Sequence, residues 1–205
     1  MLSTRREIMK KGALIYSLCS LLCVGFLTMC TSSPGVETQA GGNGAEVFTG
    51  NAIVSTTVAG GGTTRLTITI NEYTSDEDIL KFVEILKTEG PSGLRNALEK
   101  VSAGWIAPTG RVRETINIAR SRPVEGGRLI NIVKTRYLNF LEFALGTPRS
   151  REYEFSFIQL KLDEEGRGEG YMFAGAKIEF DSEGKLVLEQ RGTVPIQIRG
   201  VRQTK

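Results

Sequence analysis

The sequence predicts an α+β fold dominated by antiparallel β-sheet. Three observations carry this. Most of the chain after residue 44 alternates apolar and polar side chains with a period of two. Glycine-rich turns divide these stretches, as at Gly60-Gly61-Gly62, Glu125-Gly126-Gly127 and Asp181-Ser182-Glu183-Gly184. One region alone, between Thr74 and Gly104, repeats its apolar residues at helical spacing. With about eight or nine strands, the sheet is expected to bend into a curled sheet, an open barrel or a sandwich. Three regions follow: residues 1–30 as a signal or membrane anchor, 31–44 as a flexible linker, and 45–205 as a single β-rich domain.

Within that domain, residues 45–58 hold β-branched side chains in loose alternation, and the glycine run 60–62 reads as a turn. Residues 65–73 set Leu66, Ile68 and Ile70 on one face against Thr67, Thr69 and Asn71 on the other. A helix opens at Thr74-Ser75. Thr74 with Glu77 fits a capping box, and Asp76, Glu77 and Asp78 complement the positive end of the helix dipole. Ile79, Phe82, Val83 and Leu86 form its apolar stripe. Gly90-Pro91 then predicts a second helix carrying Leu94, Ala97, Leu98 and Val101, so that the pair forms a helical hairpin.

Trp105 returns the chain to β structure, with a core position expected for this large aromatic. Residues 111–119 read as one strand with Val112, Glu114, Ile116 and Ile118 on a common face. Residues 128–135 pair back on it. Residues 137–145 fit a strand or a short helix. Residues 153–198 carry the densest strand pattern. It changes phase where Phe157 meets Ile158, which predicts a β-bulge there that returns both halves to one core face.

The first thirty residues are of another kind. Arg5, Arg6, Lys10 and Lys11 precede an uncharged apolar stretch, GALIYSLCSLLCVGFLTM, from residue 12 to 29. That is the pattern of an export signal, and the stretch also reaches the length of a spanning helix. Leu27-Thr28-Met29-Cys30 resembles a bacterial lipobox, apart from Met29 where a small residue is usual. Cys30 is therefore the candidate lipidation site. A secreted product and an uncleaved anchor are the alternatives. In lipoproteins a residue other than Asp after the cysteine, here Thr31, implies sorting to the outer membrane where the host has one. The linker TSSPGVETQAGGNG is too rich in Gly, Ser, Thr and Pro to bury a core.

Charge and cysteine usage narrow the function classes. The chain holds 26 basic and 23 acidic side chains, but the leader contributes four cations against Glu7 alone. The remainder is formally neutral, which argues against a nucleic-acid binder. The three cysteines, Cys19, Cys23 and Cys30, all lie in the leader, and the chain has no histidine. The domain thus lacks the side chains for a disulfide, a Cys/His metal site or a Ser-His-Asp triad. No cofactor is expected.

The segments WIAPTGRVRETINIARSRPVEGGRLINIV, FIQLKLDEEGRGEG, AKIEFDSEG and PIQIRGVR resemble a family of uncharacterised exported bacterial proteins. The likeness spans residues 46–202 and rests on strand and turn motifs. It implies export and a β-rich fold, and brings no activity or functional residue with it.

Three polar groupings invite chemistry. The carboxylates from Asp163 to Glu169 fit a solvated hairpin tip better than a calcium loop, since Arg167 interrupts them and the EF-hand spacing is absent. Glu169 and Glu179 are the candidate pair for a carboxylate-dependent hydrolase. Arg120, Arg122, Arg128, Arg136, Arg149 and Arg151 are either an anion site or scattered surface charge. The sequence therefore favours an exported, membrane-tethered envelope protein with a binding or structural role, with no catalytic residue assigned. The alternatives are a carrier of an apolar ligand and the hydrolase.

Overall fold

The computed structural model describes residues 44–54, 62–135, 154–180, 186–190 and 195–205. The leader with Cys30, the linker to residue 43, the first glycine turn at residues 60–61 and residues 137–145 lie outside them. So do Arg136, Arg149 and Arg151. The described chain is mostly antiparallel sheet with one helix, and the sheet is not closed.

The strands run β1 (Glu46–Val54), β2 (Gly62–Ile70), β3 (Gly104–Pro108), β4 (Glu114–Ile116), β5 (Ile118–Val124), β6 (Gly127–Thr135), β7 (Phe155–Leu162), β8 (Arg167–Phe180), β9 (Leu186–Gln190) and β10 (Ile196–Gln203). In space the order is β4-β3-β2-β1-β10-β8-β7-β6-β5, with β9 also on β8. The two end strands, β4 and β5, are consecutive in the chain and separated only by Asn117. The sheet must therefore curl until its ends adjoin, without a ladder that closes it. The single strand expected over residues 111–119 is broken at this point, because β4 bonds to β3 and β5 to β6. β9 and β10 both run antiparallel to β8, along Ala176–Phe180 and Arg167–Met172 respectively. β7 also reaches Ala176, so β9 occupies the β10 side of β8.

Curling gives the sheet an inner and an outer face, each with its own core. Phe48, Leu66, Ile68, Ile70, Ile106, Ile116, Ile130, Ile132, Ile158, Leu160, Met172 and Ile198 fill the inner one. The outer one lies under the helix α1 (Asp76–Leu98), where Ile79, Leu86, Leu94 and Leu98 meet Ile118, Val133, Phe155, Phe157, Ala176 and Ile178. Each such side chain fully removed from water contributes about 1.5–3 kcal/mol, so both layers matter to stability.

The two cores explain the change of phase in β7. No bulge occurs between Phe157 and Ile158, and β7 pairs with β6 without interruption from Phe155 to Leu162. Phe155 and Phe157 point to the helix, while Ile158, Leu160 and Leu162 point inward. The irregularity lies on the neighbouring strand. Phe157 pairs with Phe173 but Phe155 with Ala176, which leaves one extra residue in β8. That residue turns the strand over: Met172 faces the inner core, whereas Ala176 and Ile178 face the helix. A similar device at Gly200 (φ 60°) keeps Ile196, Ile198 and Val201 all pointing inward across an uneven spacing.

Glycine permits close strand approach in β8. A β-carbon at Gly168 would come within 1.9 Å of the Lys161 carbonyl oxygen, and one at Gly170 within 2.5 Å of that of Gln159. At the β7–β8 turn only Gly166 uses a positive φ, of 72°.

Helix α1 breaks at the junction where the hairpin was expected. It is one helix broken at Gly90 (φ 72°, ψ −170°) ahead of Pro91. Its cap is Ser75, one residue later than the box expected at Thr74. The Asp78 amide donates to Ser75 Oγ at 3.1 Å, and the hydroxyl donates to the Asp78 carboxylate at 2.7 Å. Thr74 instead binds β5: its amide donates to the Ala119 carbonyl, and its hydroxyl oxygen accepts from the Ala119 amide. Trp105 is half-buried on the outer face, and its neighbour Ile106 takes the inner core position.

Asn117 closes the join. Its amide nitrogen Nδ2 donates to the carbonyls of Leu98 and Val101 at 2.8 and 2.9 Å, which anchors the end of α1. Its Oδ1 accepts from the Thr135 backbone amide at 2.7 Å and from the Thr135 hydroxyl at 3.2 Å. With a relative exposure of 3 %, no water can replace these bonds. Asn117→Ala is therefore expected to destabilise the protein by about 3 kcal/mol, by orphaning several buried backbone groups. A urea titration showing a loss below ~1 kcal/mol would contradict this.

Tyr73 predicts the alkaline limit of stability. Burial, and then donation of its hydroxyl to Glu46 at 2.5 Å, hold the phenol well above its ordinary value of 10.0. The unfolded chain ionises first, so stability contributed by Tyr73 is present below pH ~10 and declines above it. Tyr73→Phe should flatten the fall in thermal midpoint on the alkaline side.

Candidate functional site

The region where β4 meets β6 has the richest buried polar chemistry among the described residues. Residues Arg128, Ile130, Ile132 and Lys134 share the inner face of β6, so an apolar centre is capped by a cation at each end. Arg128 bonds Glu46, at the start of β1, with Nη2 to Oε2 at 3.1 Å. It also donates to the Gln203 side chain at 2.9 Å. About 20 Å further along β6, counted at ~3.3 Å per residue, Lys134 bonds Glu114 of β4. There Nζ lies 3.0 Å from the Glu114 carboxylate and 3.1 Å from the Thr135 carbonyl, to which it donates.

This second pair is the more buried. Side-chain exposure is 6 % for Lys134 and 11 % for Glu114, against about a quarter for Arg128 and Glu46. Ser156, fully buried, sits opposite Lys134 on β7. The pair crosses the gap between the two ends of the sheet, where β4 and β6 share no ladder. A cavity of about 400 Å³ opens there, lined by Arg113, Glu114, Thr115 and Asn117 from the β4 side, Lys134 and Thr135 from β6, and Glu99 from the cap of α1. Three elements thus contribute polar groups to one concavity, the usual composition of a site that orients a small ligand.

The groupings picked out from sequence do not assemble into a site. Glu169 is exposed, while Glu179 is held by Lys177 at 2.5 Å. Ten residues of β8 separate them, roughly 30 Å at strand rise, too far for a catalytic pair. The Asp163 carboxylate accepts from the backbone amides of Glu165 and Arg167 at 3.0 and 2.8 Å, so it organises the turn. Among the described residues no group of three or more His, Cys, Asp or Glu side chains is placed to hold a metal ion. The described arginines separate: Arg120 pairs with Asp76 and Arg128 with Glu46. No described helix is long and apolar enough to cross a membrane.

Sequence reading missed Glu114 and Lys134 as partners, although each carries a signal. Glu114 shares the phase of Ile116, and Lys134 that of Ile130 and Ile132. A charge in the apolar phase of a strand is either exposed at the strand end or buried with a partner. Their pairing depends on two strand ends that are distant in the sheet order.

Replacing Lys134 with Met should destabilise the protein by about 3–5 kcal/mol, because Glu114 is left buried without its cation. The double change Glu114→Leu with Lys134→Met should recover most of that loss. Equal urea midpoints for wild type and Lys134→Met would remove the pair from the account. No protein-family model, curated protein or solved structure matches this chain.

Proposed function

We propose that this is an exported cell-envelope protein, held at a membrane by its N-terminal segment, whose β-rich domain acts by binding. The basic residues followed by an uncharged apolar stretch support export, and Cys30 supplies the lipid anchor. The linker at residues 31–44 joins that anchor to β1 at Glu46. The observation that carries the binding role is the polar cavity at the β4–β6 gap, which lies about 20 Å along β6 from the Glu46 contact.

The apolar-carrier alternative gains no support, because the inner face is filled with side chains such as Ile130, Ile132, Ile158 and Leu160 at 0–1 % exposure. The hydrolase alternative loses its carboxylate pair to the length of β8. The approach of β4 to β6 supports a curled sheet rather than a sandwich of two separate sheets.

Cell fractionation tests the tether. Wild-type protein should sediment with membranes, and Cys30→Ala should move to the soluble exported fraction. Unchanged partitioning of Cys30→Ala would discard lipidation in favour of an uncleaved anchor.

A further inference from the structure

Helix α1 covers one part of the outer sheet face and leaves another part open. The open part runs over β2, β1, β10, β8 and β7, about 20 Å across at the usual spacing of strands. Arg65, Arg199, Arg202, Arg167 and Lys161 lie on it and are exposed. Their phase is opposite to that of Leu66, Ile198, Val201 and Leu160, which fill the inner core. Among the described residues, Glu169 is the only carboxylate at an outward position of these five strands.

Most of this positive charge is uncompensated. Arg167 pairs with Glu165 of the adjoining turn at 3.2 Å. Arg199 bonds only the neutral amide of Gln197, at 2.9 and 3.2 Å. Arg65, Lys161 and Arg202 form no ion pair among the described residues. Four cations therefore stand against Glu169. The helix has the opposite balance, with five acidic and three basic side chains between Asp76 and Leu98. The near-neutral total thus conceals a local basic face.

The register places that face close to the tether. Arg202 lies opposite Thr49 of β1, and both Arg199 and Arg65 lie opposite Asn51. All three sit beside the first six residues of β1, whose start takes the linker. A linker of residues 31–44 reaches at most about 50 Å when extended and spans roughly 20 Å on average. An anchored domain therefore keeps this face within reach of its own membrane. Tyr171, 37 % exposed, stands on the face between Gln159 and Gln197. A ring with one polar end suits the headgroup level of a bilayer.

We propose that the open outer face docks on anionic phospholipid headgroups, with Lys161, Arg199 and Arg202 on the phosphates. The charges spread over several strands as a plane, which matches a headgroup layer better than a single polymer strand held along a groove. The short linker argues for the membrane that holds the anchor. This inference rests on the tether proposed above.

Trp105, the only tryptophan, reports the contact. It lies on the outer face of β3, and its partner Thr69 pairs with Val47 at the start of β1. Full-length protein is placed in nanodiscs of phosphatidylcholine, alone or mixed with phosphatidylglycerol, each containing a dansyl-labelled lipid. Energy transfer from Trp105 is expected to be about twofold higher in the anionic discs and to fall to the neutral level in high salt. The triple variant Lys161→Gln, Arg199→Gln, Arg202→Gln should lose the difference. A control with Lys81, Lys87 and Lys100 changed to Gln removes as many exposed cations away from the face and should keep it. Equal transfer in both lipids, insensitivity to salt, or equal loss in both variants would each overturn the proposal. The salt response of the wild type tests it without any variant. If the protein does not enter the discs, the tether fails, and the same protein is mixed with phosphatidylglycerol vesicles and floated. Flotation that the triple variant loses retains the basic face as a lipid surface, and absence of flotation overturns it. Tighter binding to heparin than to those vesicles assigns the face to an acidic glycan and overturns the membrane contact.

Discussion

The fold depends on one buried asparagine. Asn117 stands where the sheet changes partners, between a strand bonded to β3 and a strand bonded to β6. A curled antiparallel sheet of this order has to bring its two end strands together, and the backbone polar groups at the join have no regular partners. Asn117 supplies them. Its side chain holds two carbonyls at the end of α1 with one atom and the amide and hydroxyl of Thr135 with the other. One residue thus joins the helix, the β4–β5 break and the end of β6. Buried polar networks of this kind are costly when half satisfied and specify a single arrangement when complete.

The two cores follow from that curl. An antiparallel sheet normally has one apolar face, but here the side chains of the inner face pack against one another and part of the outer face is covered by α1. β7 serves both, with Phe155 and Phe157 outward and Ile158, Leu160 and Leu162 inward. β8 serves both by a different route, since its extra residue exchanges the faces halfway along. The ion pairs Glu46–Arg128 and Glu114–Lys134 terminate the inner core at two points on β6. A buried ion pair adds little net stability over an apolar pair of the same size. The position of Glu114–Lys134 in the wall of a polar cavity gives its presence a second physical reason, because it keeps that wall polar.

Local signals in the sequence were read with success where one element decides the outcome. Period-two alternation gave β6 to within one residue and located β2, though three residues late at each end, and Gly90-Pro91 gave the break in α1. Readings failed where two elements share the decision. Thr74 fits a capping box by spacing, yet β5 takes its side chain, and Ser75 caps the helix instead. Trp105 is large enough for a core, yet Ile106 holds the inward phase of β3. The apolar dipeptide Phe157-Ile158 looks like a slipped register from one strand alone. It is regular once a helix covers the second face.

By itself the sequence determined the antiparallel α+β character, the apolar leader ahead of a polar linker, and the lack of thiol and imidazole chemistry after Cys30. These follow from local periodicity and composition, which need no knowledge of neighbours. Tertiary structure alone decided that β4 and β5 part at Asn117 and that Glu114 meets Lys134. It also placed Glu169 and Glu179 at opposite stretches of β8. Each of these depends on which strands lie side by side. Strand order is set by the burial of both faces of the whole sheet, so no single segment encodes it.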